Sequence, residues 1–277
     1  MPTPWTSQPQ CAVQIDRSTP ANRAITTLIP FGSINKDLCT GNDVVFASGG
    51  SISAGQRGRS LRGNGAAAVA SIPLDLSFTR IASISFWMYW DAFANDDQLA
   101  MEFTASTNTN NGGFHVDPNC ASPVFGVFQV VTSDAGAIYG ASCVRPSGAA
   151  WHHYSMVLDR NTPSQALQAL YIDSIPQSLT NRSTFYSTPS NFANSTLYFL
   201  SRAGSSLFAA GNIQNFVIRA GYKASASDAL AEYTNPWSIF APLRRPWERP
   251  APKVAASSNK FRSRSIYGTR AGSRSAG

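Results

Sequence analysis

Apolar and polar residues alternate with a period of two along much of this chain, the pattern that places successive side chains on opposite faces of a strand. The clearest run is Ile81–Trp90, IASISFWMYW. Ala82, Ile84, Phe86, Met88 and Trp90 make one apolar face, with Ser83, Ser85, Trp87 and Tyr89 opposite. A second run, residues 151–158, puts His152, Tyr154, Met156 and Leu158 on one side and Trp151, His153, Ser155 and Val157 on the other. The turn Asp159-Arg160-Asn161-Thr162-Pro163 follows, since Asp and Asn bond their own backbone and Pro cannot continue a ladder. Residues 170–173 resume as a strand that Ser174-Ile175-Pro176 closes.

Shorter strands are predicted at 25–29, 44–47, 51–54, 98–104, 197–201 and 213–219. Residues 124–131 and 137–144 form a predicted hairpin around Thr132-Ser133-Asp134-Ala135-Gly136. Ser225-Ala226-Ser227-Asp228 has capping-box spacing, with Asp in place of the usual Glu or Gln. A short helix should follow, with Leu230 and Tyr233 on one face, ending before Pro236. The pattern is that of an all-β protein with one short C-terminal helix.

Composition agrees: only 13% of the 277 residues are charged. The net charge of +7 hides a division. Residues 1–240 hold 13 Lys+Arg against 14 Asp+Glu, whereas 241–277 hold 9 against the single acid Glu248. The chain therefore divides into an N-terminal arm (1–24) interrupted by Pro2, Pro4, Pro9 and Pro20, a neutral body (25–242) and a basic tail (243–277). The tail is rich in Pro, Ser and Arg, without periodicity, and is expected to be extended or disordered alone. No apolar run reaches the ~20 residues of a membrane span. The N-terminus lacks a signal-peptide pattern, so synthesis in a cytoplasm is expected, with export by assembly or lysis.

The two strongest runs carry a family resemblance. WHHYSMVLD followed by LYIDS resembles the W-H-H-h-x-h-x-h-D … L-Y-h-D-G hairpin of laminin-G-like (concanavalin A-like) domains, with Ser174 where the family has Gly. IASISFWMYW is similar to its h-S-h-S-F-W-h-h strand, and LYFLSRAG…GNIQNFVIRAGYKASASDALAEY to its closing segment. In that closing segment Gln214 and Asn215 occupy positions where an acid is common, and Asn64-Gly65-Ala66 replaces an Asp-rich turn. PWTSQPQ, AVQIDRSTP and NPWSIFAP resemble the opening and close of a group of such proteins encoded by tailed phages and prophages. The resemblance implies an antiparallel two-sheet jelly-roll β-sandwich. It also implies a non-enzymatic virion component (head decoration or fibre, neck or tail) that forms a homo-oligomer, threefold by expectation, with other virion proteins as partners.

Candidate chemistry is sparse. His152 and His153 are adjacent on a strand, so they point to opposite faces and do not readily share an ion. A glycosidase on this sandwich needs paired carboxylates, which such enzymes place in an E-x-D-x-x-E run; none is present, and the body has only Glu102 and Glu232. Asp96 and Asp97 with Asn95, and Asp117 with Asn119, are candidate calcium ligands, weighed against solvated turn residues. Cys120 and Cys143 flank the predicted hairpin; pairing and free thiols are both open, with free thiols favoured.

Adhesion to host-surface glycans is the second reading, with Phe114, Tyr139 and Tyr186 as candidate rings for stacking on sugars, and the polar loop 105–113 as a binding surface. A divergent glycoside hydrolase is the third. In the tail, Arg244, Arg245, Trp247, Arg249, Phe261, Arg262 and Arg264 fit an assembly arm, ahead of nucleic-acid binding, because the body has no accompanying basic face.

Overall fold

The computed structural model describes residues 13–32, 35–91, 98–104, 111–120, 126–134, 137–146, 148–181 and 189–242. By its contacts the chain divides into Met1–Pro242 and Leu243–Gly277; the second unit lies outside the described residues.

The body is a sandwich of antiparallel strands. Its first half contains β1 (Val13–Ile15), the one-turn helix α1 (Pro20–Arg23), β2 (Ile25–Ile29), β3 (Val45–Phe46), β4 (Gly50–Gly55), β5 (Gly58–Asn64), β6 (Ala70–Asp75) and β7 (Ile81–Trp90). The middle supplies β8 (Met101–Phe103), β9 (Phe114–Cys120), β10 (Val127–Asp134), β11 (Ala137–Val144) and β12 (Trp151–Asp159). Then come β13 (Leu167–Ile172), β14 (Ile175–Pro176), β15 (Thr180–Asn181), β16 (Asn194–Phe199), β17 (Ala210–Ala220), helix α2 (Ala226–Thr234) and β18 (Phe240–Pro242).

One sheet runs β14-β13-β12-β7-β17-β5-β4, with β2 also paired to β17; the other runs β15-β11-β10-β9-β8-β16-β6-β3. The expected apolar face of β7 is buried whole, and Tyr154, Met156 and Leu158 of β12 join it in one core between the sheets. Aromatic rings bridge the layers: Phe128 of β10 stacks on Tyr154 at 4.8 Å, and Tyr154 on Phe86 at 5.4 Å. Burying each such side chain contributes roughly 1.5–3 kcal/mol.

A smaller apolar cluster, Ile25, Leu28, Val217, Trp237, Ile239 and Phe240, lies apart from the inter-sheet core. Val13 and Ile15 pack against it, and β1 pairs with β18. Ile15 therefore rests on the body, as its apolar side chain leads one to expect. Just beyond, the Thr19 hydroxyl accepts the Asn22 N–H at 3.1 Å, and Arg17 Nη1 donates to the carbonyls of Asn22 and Ile25. Residues 13–24 are thus ordered structure.

Helix α2 starts as its sequence demands. Ser225 caps the Asp228 N–H, and the Asp228 carboxylate accepts from the Ser225 N–H at 2.8 Å. Its buried residues, however, are Ala229 and Glu232, while Leu230 stands exposed. The expected Leu230–Tyr233 face is corrected in that respect, because the sheet surface beneath the helix is polar and receives a carboxylate. A bulge in β17 sets Asn215 at φ +51, where its Nδ2 donates to the Pro236 carbonyl at 3.3 Å.

Cys120 and Cys143 are buried and neither is part of a disulfide. Cys143 pairs across with Phe128 and joins the core, whereas Cys120 pairs with Val127 and its Sγ lies 2.9 Å from Gln129 Oε1. They sit on opposite sides of β10 and on opposite faces of the sheet, so the pairing alternative has no geometry. Burial pushes the Cys143 thiol up to about 12, which keeps it protonated.

Candidate functional site

Of the expected sugar-stacking rings, Phe114 and Tyr139 are both 0% exposed. Phe114 packs against Phe103 at 5.3 Å, and the Tyr139 hydroxyl donates to Asn181 Oδ1 at 2.8 Å. Both face the core because strand alternation turns them inward, so neither offers a ring to a ligand. Tyr186, Asp96, Asp97 and the tail residues Arg244, Arg245, Trp247, Arg249, Phe261, Arg262 and Arg264 lie outside the described residues, as do 105–110 of the polar loop. Asp117 is buried on β9, and its Oδ1 accepts the Asn119 N–H at 2.8 Å. Among the described residues no three His, Cys, Asp or Glu side chains gather as a metal site.

The two histidines diverge as the strand period requires. His152 Nδ1 lies 2.6 Å from Asp173 Oδ2, and the same carboxylate accepts the His153 N–H at 2.8 Å. His153 Nε2 lies 3.6 Å from Glu232 Oε2, beneath α2. Arg219 Nη2 stands 2.5 Å from Glu232 Oε1. Burial alone would raise the Glu232 pKa, but the Arg219 charge, with His153 and Ser85, holds it down at about 2. This buried ion cluster fastens the helix to the sheet.

A different set of residues is accessible. On the outward face of the first sheet, Trp151 of β12 is the cross-strand partner of Tyr89 of β7, Tyr89 of Asn212 on β17, and Asn212 of Arg62 on β5. The Trp151 and Tyr89 rings are half-buried, with centroids 5.7 Å apart and planes at 47°. Beside them Arg62 makes a two-pronged ion pair with Asp91, Nη1 to Oδ1 at 2.6 Å and Nη2 to Oδ2. Arg62 Nη1 also donates to Asn212 Oδ1 at 2.9 Å, and Asn212 Nδ2 donates to the hydroxyls of Ser53 and Ser60 at 2.6 and 2.8 Å. The Asp91 bond raises the Arg62 pKa further, so the guanidinium stays charged.

The platform is held from below and beside. A Cβ on Gly211 would meet the Tyr89 carbonyl oxygen at 2.6 Å, so only glycine lets β17 approach β7 here. In the next row Trp87 is stacked by Tyr233 at 5.6 Å and covered by the Arg57 guanidinium at 5.3 Å. Paired rings with oriented polar groups at their edge can grip a ligand that has both apolar C–H faces and hydroxyls. Alternation in β7 and β12 already places Tyr89 and Trp151 outward, but only the strand pairing brings them together.

No family model matches the chain, and no curated protein matches it. Solved structures do. Domain 4 of the extracellular arabinanase AbnA from Geobacillus stearothermophilus, in complex with arabinotriose, aligns with TM-score 0.55 and 13% identity over 74% of this chain and 96% of that one. The receptor-binding domain of botulinum neurotoxin type G aligns at 0.56 and 13%, over 76% of this chain and 50% of that one. The Trypanosoma rangeli sialidase aligns at 0.57 and 8%, over 83% of this chain and 37% of that one. At such identities the likeness establishes the sandwich fold alone. The neighbours include both enzymes and binding domains, and this chain spans only half of the neurotoxin domain and about a third of the sialidase.

Proposed function

We propose that this protein is a non-enzymatic carbohydrate-binding module of the laminin-G-like kind, carried on a tailed-phage particle, which grips host-surface glycans through the Tyr89–Trp151 platform. The observation that carries the reading is the half-buried ring pair set beside the fixed Arg62–Asp91–Asn212 network. Sugar rings present C–H faces to aromatic side chains and hydroxyls to planar polar groups, and the platform supplies both. The structural neighbours fit this, since one binds an arabinan oligosaccharide and another is a receptor-binding domain.

The non-enzymatic part of the reading rests on the carboxylates. Glu102 and Asp117 belong to one outward face of the second sheet, because Glu102 pairs with His115 and Asp117 lies two residues beyond it. Both are buried, and Glu102 Oε1 lies 3.7 Å from Arg202 Nε. Asp91 is committed to Arg62, and Glu232 to Arg219. None is free to protonate a leaving group and activate water across a scissile bond.

The particle setting rests on the resemblance of the terminal segments to phage-encoded proteins, with the basic tail as the arm that joins other virion proteins or further copies of the chain. Two experiments test the proposal. The full chain is immobilised and titrated with host-surface polysaccharides, where saturable binding without release of reducing sugar is expected. Reducing-sugar release, or no binding at all, contradicts it. Mass spectrometry of purified particles is expected to find the chain, and its absence from them removes the virion setting.

A further inference from the structure

We infer that the platform selects uncharged glycans and discriminates against sialylated or uronic ones; this rests on the proposed carbohydrate-binding reading. The reason is the state of Arg62, the cation set beside the Tyr89–Trp151 rings. Arg62 is the group that would ordinarily seize a sugar carboxylate, because a guanidinium fork matches a carboxylate two-pronged. Here Asp91 already occupies that fork through both of its oxygens, and Asn212 Oδ1 takes a further Nη1 hydrogen at 2.9 Å. The pair carries no net charge, so an incoming carboxylate gains no net attraction at Arg62 and meets the charge of Asp91 beside it.

The neighbouring cation does not fill the gap. The Arg57 guanidinium lies one row away, 5.3 Å over the Trp87 ring, and its Nη2 donates to the Tyr233 carbonyl at 3.3 Å. Trp87 itself is 3% exposed, covered by Tyr233 and by Arg57, so it offers no open face beside that cation. Nor does the body as a whole attract anions, since residues 1–240 have one more acid than base. Hydroxyl recognition remains served, because the Asp91 oxygens have acceptor capacity beyond Arg62.

The test uses the full chain on a printed array of matched pairs, each neutral oligosaccharide beside its sialylated or uronic counterpart. The wild type is expected to retain the neutral members at least tenfold better than their acidic partners. Asp91→Asn keeps the shape and releases the Arg62 charge, and it should narrow or reverse that preference. Arg62→Gln leaves Asp91 unpaired and should reject acidic members more strongly, which keeps the inference testable should Asp91→Asn not fold. Preferential capture of acidic glycans by the wild type, or preferences unmoved in folded variants, overturns the inference while leaving carbohydrate binding intact. No binding to any member overturns both.

Discussion

Arg219 Nη2 lies 2.5 Å from Glu232 Oε1, with both side chains almost wholly removed from solvent. This contact joins β17 to α2 across the polar sheet surface beneath the helix. Removing one member of a buried pair strands the other charge at a cost of about 3–5 kcal/mol. Glu232→Ala should lower the unfolding free energy by that amount in urea titration and loosen the Trp87–Tyr233 stack, which tryptophan fluorescence would read.

The same carboxylate sets an acid limit. Its folded pKa of about 2 lies below the ordinary 4.5. A depressed acid contributes stability above its unfolded pKa and loses it as pH falls through the folded value. The Glu232 contribution should therefore be intact at pH 5 and disappear between about pH 4.5 and 2.

His115 gives an earlier and separable loss. Burial, with the Arg202 charge, pushes its imidazole down to about 3 from 6.5. The unfolded chain binds the proton first, so stability is held above pH 6.5 and declines as pH falls toward 3. The expected loss between pH 7 and pH 5 is about 2 kcal/mol. His115→Gln should flatten urea midpoints across that interval, and an unchanged slope would mean that the imidazole binds its proton as readily in the fold as in the unfolded chain.

Asp173 and Ser174 form the tight turn between β13 and β14 in the left-handed region, at φ +52 and φ +67. Left-handed backbone strains any residue with a Cβ. Ser174→Gly should raise stability by roughly 0.5–1 kcal/mol, after the entropy that glycine adds to the unfolded chain. Thermal melts of the two proteins check this.

Much of the architecture is legible in the chain. Period-two alternation marks β7 and β12 with their inner and outer faces, and the Ser225–Asp228 spacing marks the start of α2. Strands β6 and β9 are harder to read. Pro73 and Pro118 break their propensity, and Phe114 and Tyr139 look like free aromatics until neighbouring strands close over them. The platform is legible only in part, because Tyr89, Trp151, Asn212, Arg62 and Asp91 come from four strands and a strand end. Their adjacency is set by register, a non-local property that no single segment encodes.

Calorimetric titration of the best-retained glycan into the wild type and into Trp151→Ala tests the central claim most directly. Loss of one stacking ring should weaken binding tenfold or more, about 1.4 kcal/mol, in a variant whose cooperative thermal melt shows that the sandwich is still folded. Equal affinity in the two proteins would contradict the claim and place the binding surface elsewhere on the sandwich.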